Sequence, residues 1–194
     1  MLHAWTTLEV SDPLADLRAR GLVQQPTLPK RKVRGRKRLV AAAPVSPRRR
    51  AATLIVYFDT SALIKLVFDE PGSDVAGELW DRAEAVASSQ LIYPEARAAA
   101  AAAQRGGRID TRTLRAAVRT IDELCRELDV IGLDHALGRT AGELAERHAL
   151  RGYDAVHLAS ATAIDDPDLV IATWDRELAL AAIAQNHTIV PTQQ

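Results

Sequence analysis

From residue 54 to the carboxyl terminus, short apolar runs alternate with longer segments of helical periodicity. The run at 54–58 is entirely apolar, which is typical of a fully buried strand. Between 111 and 128 the apolar positions recur about every 3.6 residues, which predicts an amphipathic helix. The same criteria predict further strands at 85–88, 129–131, 168–172 and 188–190, and further helices at 60–68, 73–85, 91–104, 134–148, 152–164 and 175–184.

This alternation determines the expected architecture. Strands that alternate with helices favour a parallel sheet covered by helices on both faces. We therefore predict a three-layer α/β/α domain with a central, mainly parallel sheet over residues 54–194. In open sheets of this kind the functional side chains collect beyond the carboxyl ends of the strands.

The first 53 residues have a different composition. They carry 12 basic and 3 acidic residues, whereas residues 54–194 carry 13 basic and 22 acidic residues. The net charge of zero is therefore the sum of a basic N-terminal segment and an acidic remainder with equal and opposite charges. The stretch 24–53 has four prolines and no acidic residue, so we expect a basic and largely disordered N-terminal arm. Before it, Asp12 and Gly21 bracket one short predicted helix that needs a surface on which to lie.

Composition also excludes several classes of protein. A single cysteine, Cys125, excludes an intramolecular disulfide framework and a cysteine-based zinc cluster. The longest alanine run covers residues 98–103, far short of the roughly 20 apolar residues that a membrane-spanning helix needs. No apolar segment typical of a secretion signal follows the first residues. The expectation is a soluble, cytoplasmic protein with no membrane partner.

Four acidic residues fall where the predicted sheet would gather them. Asp59 directly follows the first strand and Asp175 follows the strand at 168–172, while Glu95 and Asp154 lie early in their helices. Converging carboxylates repel one another unless a divalent cation joins them, and Mg²⁺ or Mn²⁺ prefers oxygen ligands. Each acid also has a simpler interpretation, as a helix cap or a first-turn residue that the helix dipole favours. Position alone leaves both interpretations open.

Three motifs resemble one known family. The segment 56–66, VYFDTSALIKL, closely resembles the opening of PIN-domain nucleases, in particular the VapC-type toxins of toxin–antitoxin pairs. Residues 153–159, YDAVHLA, resemble the helix that carries the family's third acid, and 173–175, TWD, its fourth-acid motif. Glu95 lies in the expected intermediate helix. The resemblance covers about residues 54–194 and is specific because it includes four acids in order.

The resemblance implies a Rossmann-like PIN domain and a Mg²⁺- or Mn²⁺-dependent endoribonuclease that cuts tRNA, rRNA or mRNA. It implies that Asp59, Glu95, Asp154 and Asp175 form an acidic pocket, with Asp59 and Asp154 as direct metal ligands. It also implies a homodimer and a cognate VapB-type antitoxin as partner.

Three further residues lie within these motifs. Ser61 and Thr173 either offer hydroxyls to the waters of the metal or cap their own turns. We expect His157, one turn beyond Asp154, to be a packed or surface histidine.

The N-terminal segment has a resemblance of its own. Residues 14–23 and the basic stretch after them resemble the carboxyl tail of a VapB-type antitoxin. The alternatives are an upstream extension of the reading frame, with the toxin beginning near residues 54–56, and a genuine inhibitory or RNA-binding extension. Arg108, Arg112, Arg115 and Arg119 share one helical face, which is either an RNA track or a solvated surface.

Other classes of protein compete with this interpretation. A haloacid-dehalogenase-like phosphatase needs a second Asp at the position of Ser61, and a receiver domain places its acceptor Asp after a middle strand. A catalytically inactive PIN-like module that binds RNA or protein is the main alternative to the nuclease.

Overall fold

The computed structural model describes residues 54–191 and the two-residue strand Val23–Gln24. The strands are β1 (Val23–Gln24), β2 (Ile55–Phe58), β3 (Ala85–Ser89), β4 (Asp129–Ile131), β5 (Val170–Ala172) and β6 (Thr188–Val190). The helices are α1 (Thr60–Val67), α2 (Ser73–Arg82), α3 (Ile92–Arg105), α4 (Thr111–Glu127), α5 (His135–His148), α6 (Gly152–Thr162) and α7 (Arg176–Ala184). Every element predicted after residue 53 is present, with ends that differ by at most three residues. The short helix predicted after Asp12 lies outside the described residues.

The strands form one sheet in the order β1-β4-β3-β2-β5-β6. Strands β2 to β6 are mutually parallel, as predicted, and β2 lies between β3 and β5. The strand β1 was not predicted: it pairs antiparallel with β4, with Val23 opposite Ile131. Two residues are too few to carry a hydrophobic period, so the sequence gives no signal for this strand.

The buried strand β2 divides the interior into two cores because successive side chains point to opposite faces. Ile55 and Tyr57 pack with helices α5, α6 and α7. Val56 and Phe58 pack with helices α1 to α4, where the Phe58 and Trp80 rings meet edge to face at 5.4 Å. The three-layer α/β/α prediction is thereby confirmed. None of the helices in the described residues is long and apolar enough to cross a bilayer.

A tight contact holds the loop after β5 against the turn before α2. Gly72 has φ +93°, a left-handed conformation that glycine adopts without steric cost. A Cβ placed on Gly72 would lie 2.6 Å from Nε1 of Trp174. Lys65 approaches the other side of this arrangement, with Nζ 5.0 Å from the Trp174 ring centroid. The indole of Trp174 can therefore occupy this position only because residue 72 has no side chain.

We expect Gly72→Ala to lower the free energy of unfolding by about 1–3 kcal/mol, because it adds both backbone strain and overlap with Trp174. The matched control is Gly142→Ala, which places the same methyl group on the exposed face of α5 with nothing within 4 Å. The control should stabilise the protein by about 0.5–1 kcal/mol, since alanine is the better helix former. Urea unfolding of both variants measures the difference, and equal effects of the two substitutions would contradict the account.

Candidate active site

Asp59 lies at the end of the central strand and at the start of the first helix. It follows β2 directly, its backbone N–H donates to the carbonyl of Ala172 on β5 (3.2 Å), and its side chain is the N-cap of α1. Oδ1 accepts a hydrogen bond from the backbone N–H of Ala62 at 2.8 Å. Only 4% of the residue is exposed. The simple interpretation as a helix cap is therefore true of Asp59, yet the cap uses only part of the carboxylate.

Two hydroxyl groups hold the rest of the Asp59 carboxylate. Ser61 Oγ lies 2.8 and 2.9 Å from the two carboxylate oxygens, and Thr173 Oγ1 donates to Oδ2 at 2.7 Å. Each hydroxyl oxygen also accepts from the loop after β5, Ser61 from the N–H of Trp174 (2.7 Å) and Thr173 from that of Asp175 (3.0 Å). Both side chains predicted to support the site thus contact Asp59 and bind the β5 loop to the end of β2.

Asp175 is placed by this same loop. It is the N-cap of α7, and its Oδ1 accepts from the backbone N–H of Leu178 at 2.9 Å. As with Asp59, the capping interpretation holds and leaves one carboxylate oxygen outside the cap.

Glu95 enters the site from the other side of β2, on the first turn of α3. Its Oε2 accepts hydrogen bonds from Thr60 Oγ1 (2.6 Å) and from His157 Nε2 (2.8 Å). Oε1 has no hydrogen-bond partner among the described residues. One oxygen of Glu95 is therefore fixed by the protein and the other is left for a ligand.

His157 is more than a packed histidine. It is 2% exposed, as the packing interpretation requires, but it connects the Tyr57 hydroxyl, 2.9 Å from Nδ1, to Glu95. The sequence analysis did not include Thr60, Tyr57 or His157 in the site. The available signal was spacing: His157 lies three residues after Asp154, on nearly the same side of α6.

Asp154 differs from the other three acids because no group in the described residues donates a hydrogen bond to its carboxylate. It lies on the first turn of α6 and is 8% exposed. Burial and the charges of Asp175 and Glu95 raise its pKa to about 6, against the opposing influence of His157 and Arg151. Burial and the nearby charges of two other acids therefore both favour the protonated form of this carboxyl group.

The environments of the other two buried acids differ. Burial raises the pKa of Asp59, although His157 and the hydrogen bonds from Thr173, Ala62 and Ser61 oppose the shift. Burial would also raise the pKa of Glu95, but hydrogen bonds from His157 and Thr60 outweigh it and the net shift is downward.

The site offers the carboxylate oxygens that a hard cation prefers, but few of them can contact one ion at the same time. Within residues 54–191 no three acidic, histidine or cysteine side chains are close enough to hold one ion together. Asp154, Glu95 Oε1 and the uncapped oxygen of Asp175 remain as oxygen donors. Mg²⁺ binds through one or two carboxylates and keeps several waters, so such a donor set fits it.

The chain matches the family model described as the PIN domain over residues 56–184. It is 46% identical over 139 residues to Ribonuclease VapC45 of Mycobacterium tuberculosis (strain CDC 1551 / Oshkosh) and to Ribonuclease VapC49 of strain ATCC 25618 / H37Rv. In both cases the match covers 72% of this chain and 96% of the relative.

Among solved structures, the chain resembles PAE2754 from Pyrobaculum aerophilum with a TM-score of 0.53 and 25% identity, covering 73% of this chain and 88% of that one. The family model matches well over half of the chain, and the mycobacterial ribonucleases are matched over nearly their whole length. The chain therefore belongs to the PIN-domain family, among its VapC-type ribonucleases.

Proposed function

We propose that this protein is the toxin of a type II toxin–antitoxin system and a Mg²⁺- or Mn²⁺-dependent endoribonuclease that hydrolyses RNA at Asp59, Glu95, Asp154 and Asp175. The observation that carries the proposal is the carboxylate of Asp154, which has no hydrogen-bond partner in the described residues and whose pKa is raised to about 6 by burial, Asp175 and Glu95. Of the four carboxylates, one without hydrogen-bond donors and beside two other acids is stabilised most by a bound cation. The alternative of an inactive PIN-like module receives no support, since all four acids are present.

The metal would be held by Asp154, with Glu95 Oε1 and Asp175 as direct ligands or through water, and Asp59 would join it by giving up a hydrogen bond from Ser61 or Thr173. A bound Mg²⁺ or Mn²⁺ ion supplies Lewis-acid chemistry, which lowers the pKa of water and offsets the charge of the phosphodiester. In the net reaction water adds to phosphorus, the bond to one ribose oxygen breaks, and that oxygen leaves with a proton.

The chain's own residues act by fixing the direction of the carboxylates. Ser61 and Thr173 orient Asp59 through both of its oxygens. Thr60 and His157 hold Glu95 by Oε2 alone and leave Oε1 without a hydrogen-bond partner among the described residues. Pre-oriented donors do not have to reorganise when charge develops on the phosphate.

The proposed partners follow from the family. We expect a VapB-type antitoxin to bind the protein and two copies to form a homodimer, because the similar mycobacterial proteins are VapC ribonucleases. Residues 1–53 would be a basic extension related to an antitoxin tail, and residues 54–194 the PIN domain, whose family match begins at residue 56. An arginine or lysine of such a tail can pair with the carboxylates in place of a metal.

Asp175→Asn tests the site without removing a helix cap. Asparagine caps a helix as well as aspartate does, so α7 should keep its N-cap while the site loses a charge. We expect Mg²⁺-dependent cleavage of RNA to fall by about 100-fold or more, in line with the loss of a group that stabilises charge in the transition state. The matched control is Asp110→Asn, the same change at the N-cap of α4, which should leave cleavage unchanged. Loss of activity in both variants, or in neither, would contradict the proposed site.

Asp154→Asn should stabilise the metal-free protein at neutral pH. The pKa of Asp154 lies at about 6 in the folded chain and near 3.8 when unfolded, so its contribution favours folding below pH 3.8 and is lost as the pH rises through 6. After allowance for solvent around the carboxylate, we expect a gain of about 1 kcal/mol at pH 7. Urea unfolding with EDTA measures this gain.

Two further measurements on Asp154→Asn separate metal binding from simple relief of repulsion. The gain in stability should shrink at about pH 5, where the wild-type carboxylate is mostly protonated. Excess MgCl₂ should raise the Tm of the wild type and not that of the variant. An equal rise in both proteins would remove Asp154 from the ligand set.

Thr60 offers a conservative pair of variants for the orientation of Glu95. Thr60→Val has nearly the same shape but loses the hydroxyl that donates to Oε2, whereas Thr60→Ser keeps it. We expect the valine variant to need several times more Mg²⁺ for half-maximal cleavage and the serine variant to behave like the wild type. Titration of RNA cleavage with MgCl₂ measures both, and identical curves for Ser and Val would show that the hydroxyl is not used.

A further inference from the structure

The positive charge of residues 54–194 is concentrated in one helical hairpin. Residues 97–121, which cover most of α3 and the first two thirds of α4, contain six arginines and one acidic residue. The rest of 54–194 contains seven basic and twenty-one acidic residues. A polyanion such as RNA is repelled by most of this domain, so the hairpin is the region where its phosphates gain from contact.

Three of these arginines form a row on α4. Arg112, Arg115 and Arg119 fall within about 60° of arc and span about 10 Å along the helix axis. The opposite side of α4 packs into the core through Ala117, Ile121 and Leu124. All three arginines are exposed, and none is in an ion pair within the described residues. The row is therefore free to bind an external anion.

The row runs toward the end of the hairpin that carries the acidic site. Tyr93, two residues before Glu95 on α3, donates from its hydroxyl to Asp122 of α4 at 3.0 Å. Arg119, one turn before Asp122, lies near the level of Arg97, one turn after Tyr93. Along the hairpin axis the row thus begins within about two turns of Glu95.

An ordered aromatic ring lies at this end of the row. Tyr93 is 40% exposed, and its hydroxyl also accepts a hydrogen bond from Arg97 Nη1. The guanidinium of Arg97 lies 5.5 Å from the centroid of the ring. A tyrosine face held by such contacts and open to solvent is suited to stack an unpaired base.

We propose that Arg97, Arg112, Arg115 and Arg119, here called the arginine track, bind the phosphate backbone of single-stranded RNA, with the Tyr93 ring stacking a base at the end nearer the acidic site. This assignment rests on the proposed function. It gives the acidic domain a route by which RNA approaches a negatively charged pocket. A protein partner with a basic tail, such as residues 1–53 with their twelve basic residues, is repelled by the track. A homodimer that paired two tracks would oppose like charges.

The test compares two sets of Arg→Gln variants in the full chain. The first combines Arg112→Gln, Arg115→Gln and Arg119→Gln. The control combines Arg139→Gln and Arg147→Gln, two exposed arginines of α5 on the other layer. A fluorescent single-stranded RNA of mixed sequence serves as probe. Its Kd is measured by anisotropy in EDTA at several KCl concentrations, and its cleavage is measured with MgCl₂.

We expect the track variant to bind the RNA about tenfold or more weakly, with the slope of log Kd against log salt reduced by about 2, since each phosphate contact to single strands contributes about 0.7. Its KM should rise while kcat stays within about twofold of the wild type. The control should change neither. Residues 1–53 are the same in all variants, so their contribution to RNA binding is common to every measurement, and Tm values establish that each variant is folded.

The outcomes separate this inference from the function on which it rests. Equal Kd and salt slope in the track variant and the wild type would show that the arginine track does not bind RNA. A protein partner would then be the remaining candidate for this surface. An equal loss in the control would also overturn it, because the effect would then follow total charge. A lower kcat at unchanged KM would contradict docking as well. If the wild type bound the RNA through the track but did not cleave it, the proposed function would fail while the docking surface stood.

A Tyr93→Leu variant tests the stacking contact separately. It keeps an apolar side chain but removes the ring, and we expect weaker binding to the RNA, by about tenfold, with an unchanged salt slope. A change in salt slope, or an affinity equal to that of the wild type, would refute base stacking at this position.

Discussion

The hydrogen bond from Thr173 to Asp59 joins the two strands on which the site depends. It connects the end of β2 to the loop after β5 at 2.7 Å, in a place that solvent does not reach. The Thr173 hydroxyl also accepts a hydrogen bond from the backbone N–H of Asp175. This single hydroxyl therefore fixes the positions of Asp59 and Asp175 relative to each other. Ser61 repeats the arrangement with Trp174. The sheet brings the acids to one edge, and these two hydroxyls determine how they face.

Structural and chemical roles coincide in this site. Asp59 and Asp175 are N-caps, and each cap occupies one oxygen of its carboxylate. Glu95 likewise gives Oε2 to Thr60 and His157. In Asp175 and Glu95, anchoring by one oxygen restricts the rotation of the carboxylate while the other oxygen stays available, whereas the second oxygen of Asp59 accepts from Ser61 and Thr173. Only Asp154 lacks such an anchor in the described residues, and burial together with the charges of Asp175 and Glu95 raises its pKa.

The fold was largely predictable because strands and helices of this domain have clear periods. The apolar run at 54–58 indicated a buried strand, and the 3.6-residue period of α4 indicated an amphipathic helix. The four acids were predicted to form a site from their order along the chain. Tyr57, Thr60 and His157 were missed because their contacts join residues 35 to 100 positions apart. The hydroxyls of Ser61 and Thr173 were noticed, but their contact with Asp59 depends on side-chain directions that no local pattern contains.

The contact between Trp174 and Gly72 has an optical consequence. The indole lies between Thr173 and Asp175 in the chain and next to Lys65 in space, so its emission depends on the electric field at the acidic site. Trp80 is buried beside Phe58, in the core against which Trp174 also packs, and is 6% exposed. The molecule thus carries one tryptophan beside the acidic residues and another in its interior, and the third, Trp5, lies outside the described residues.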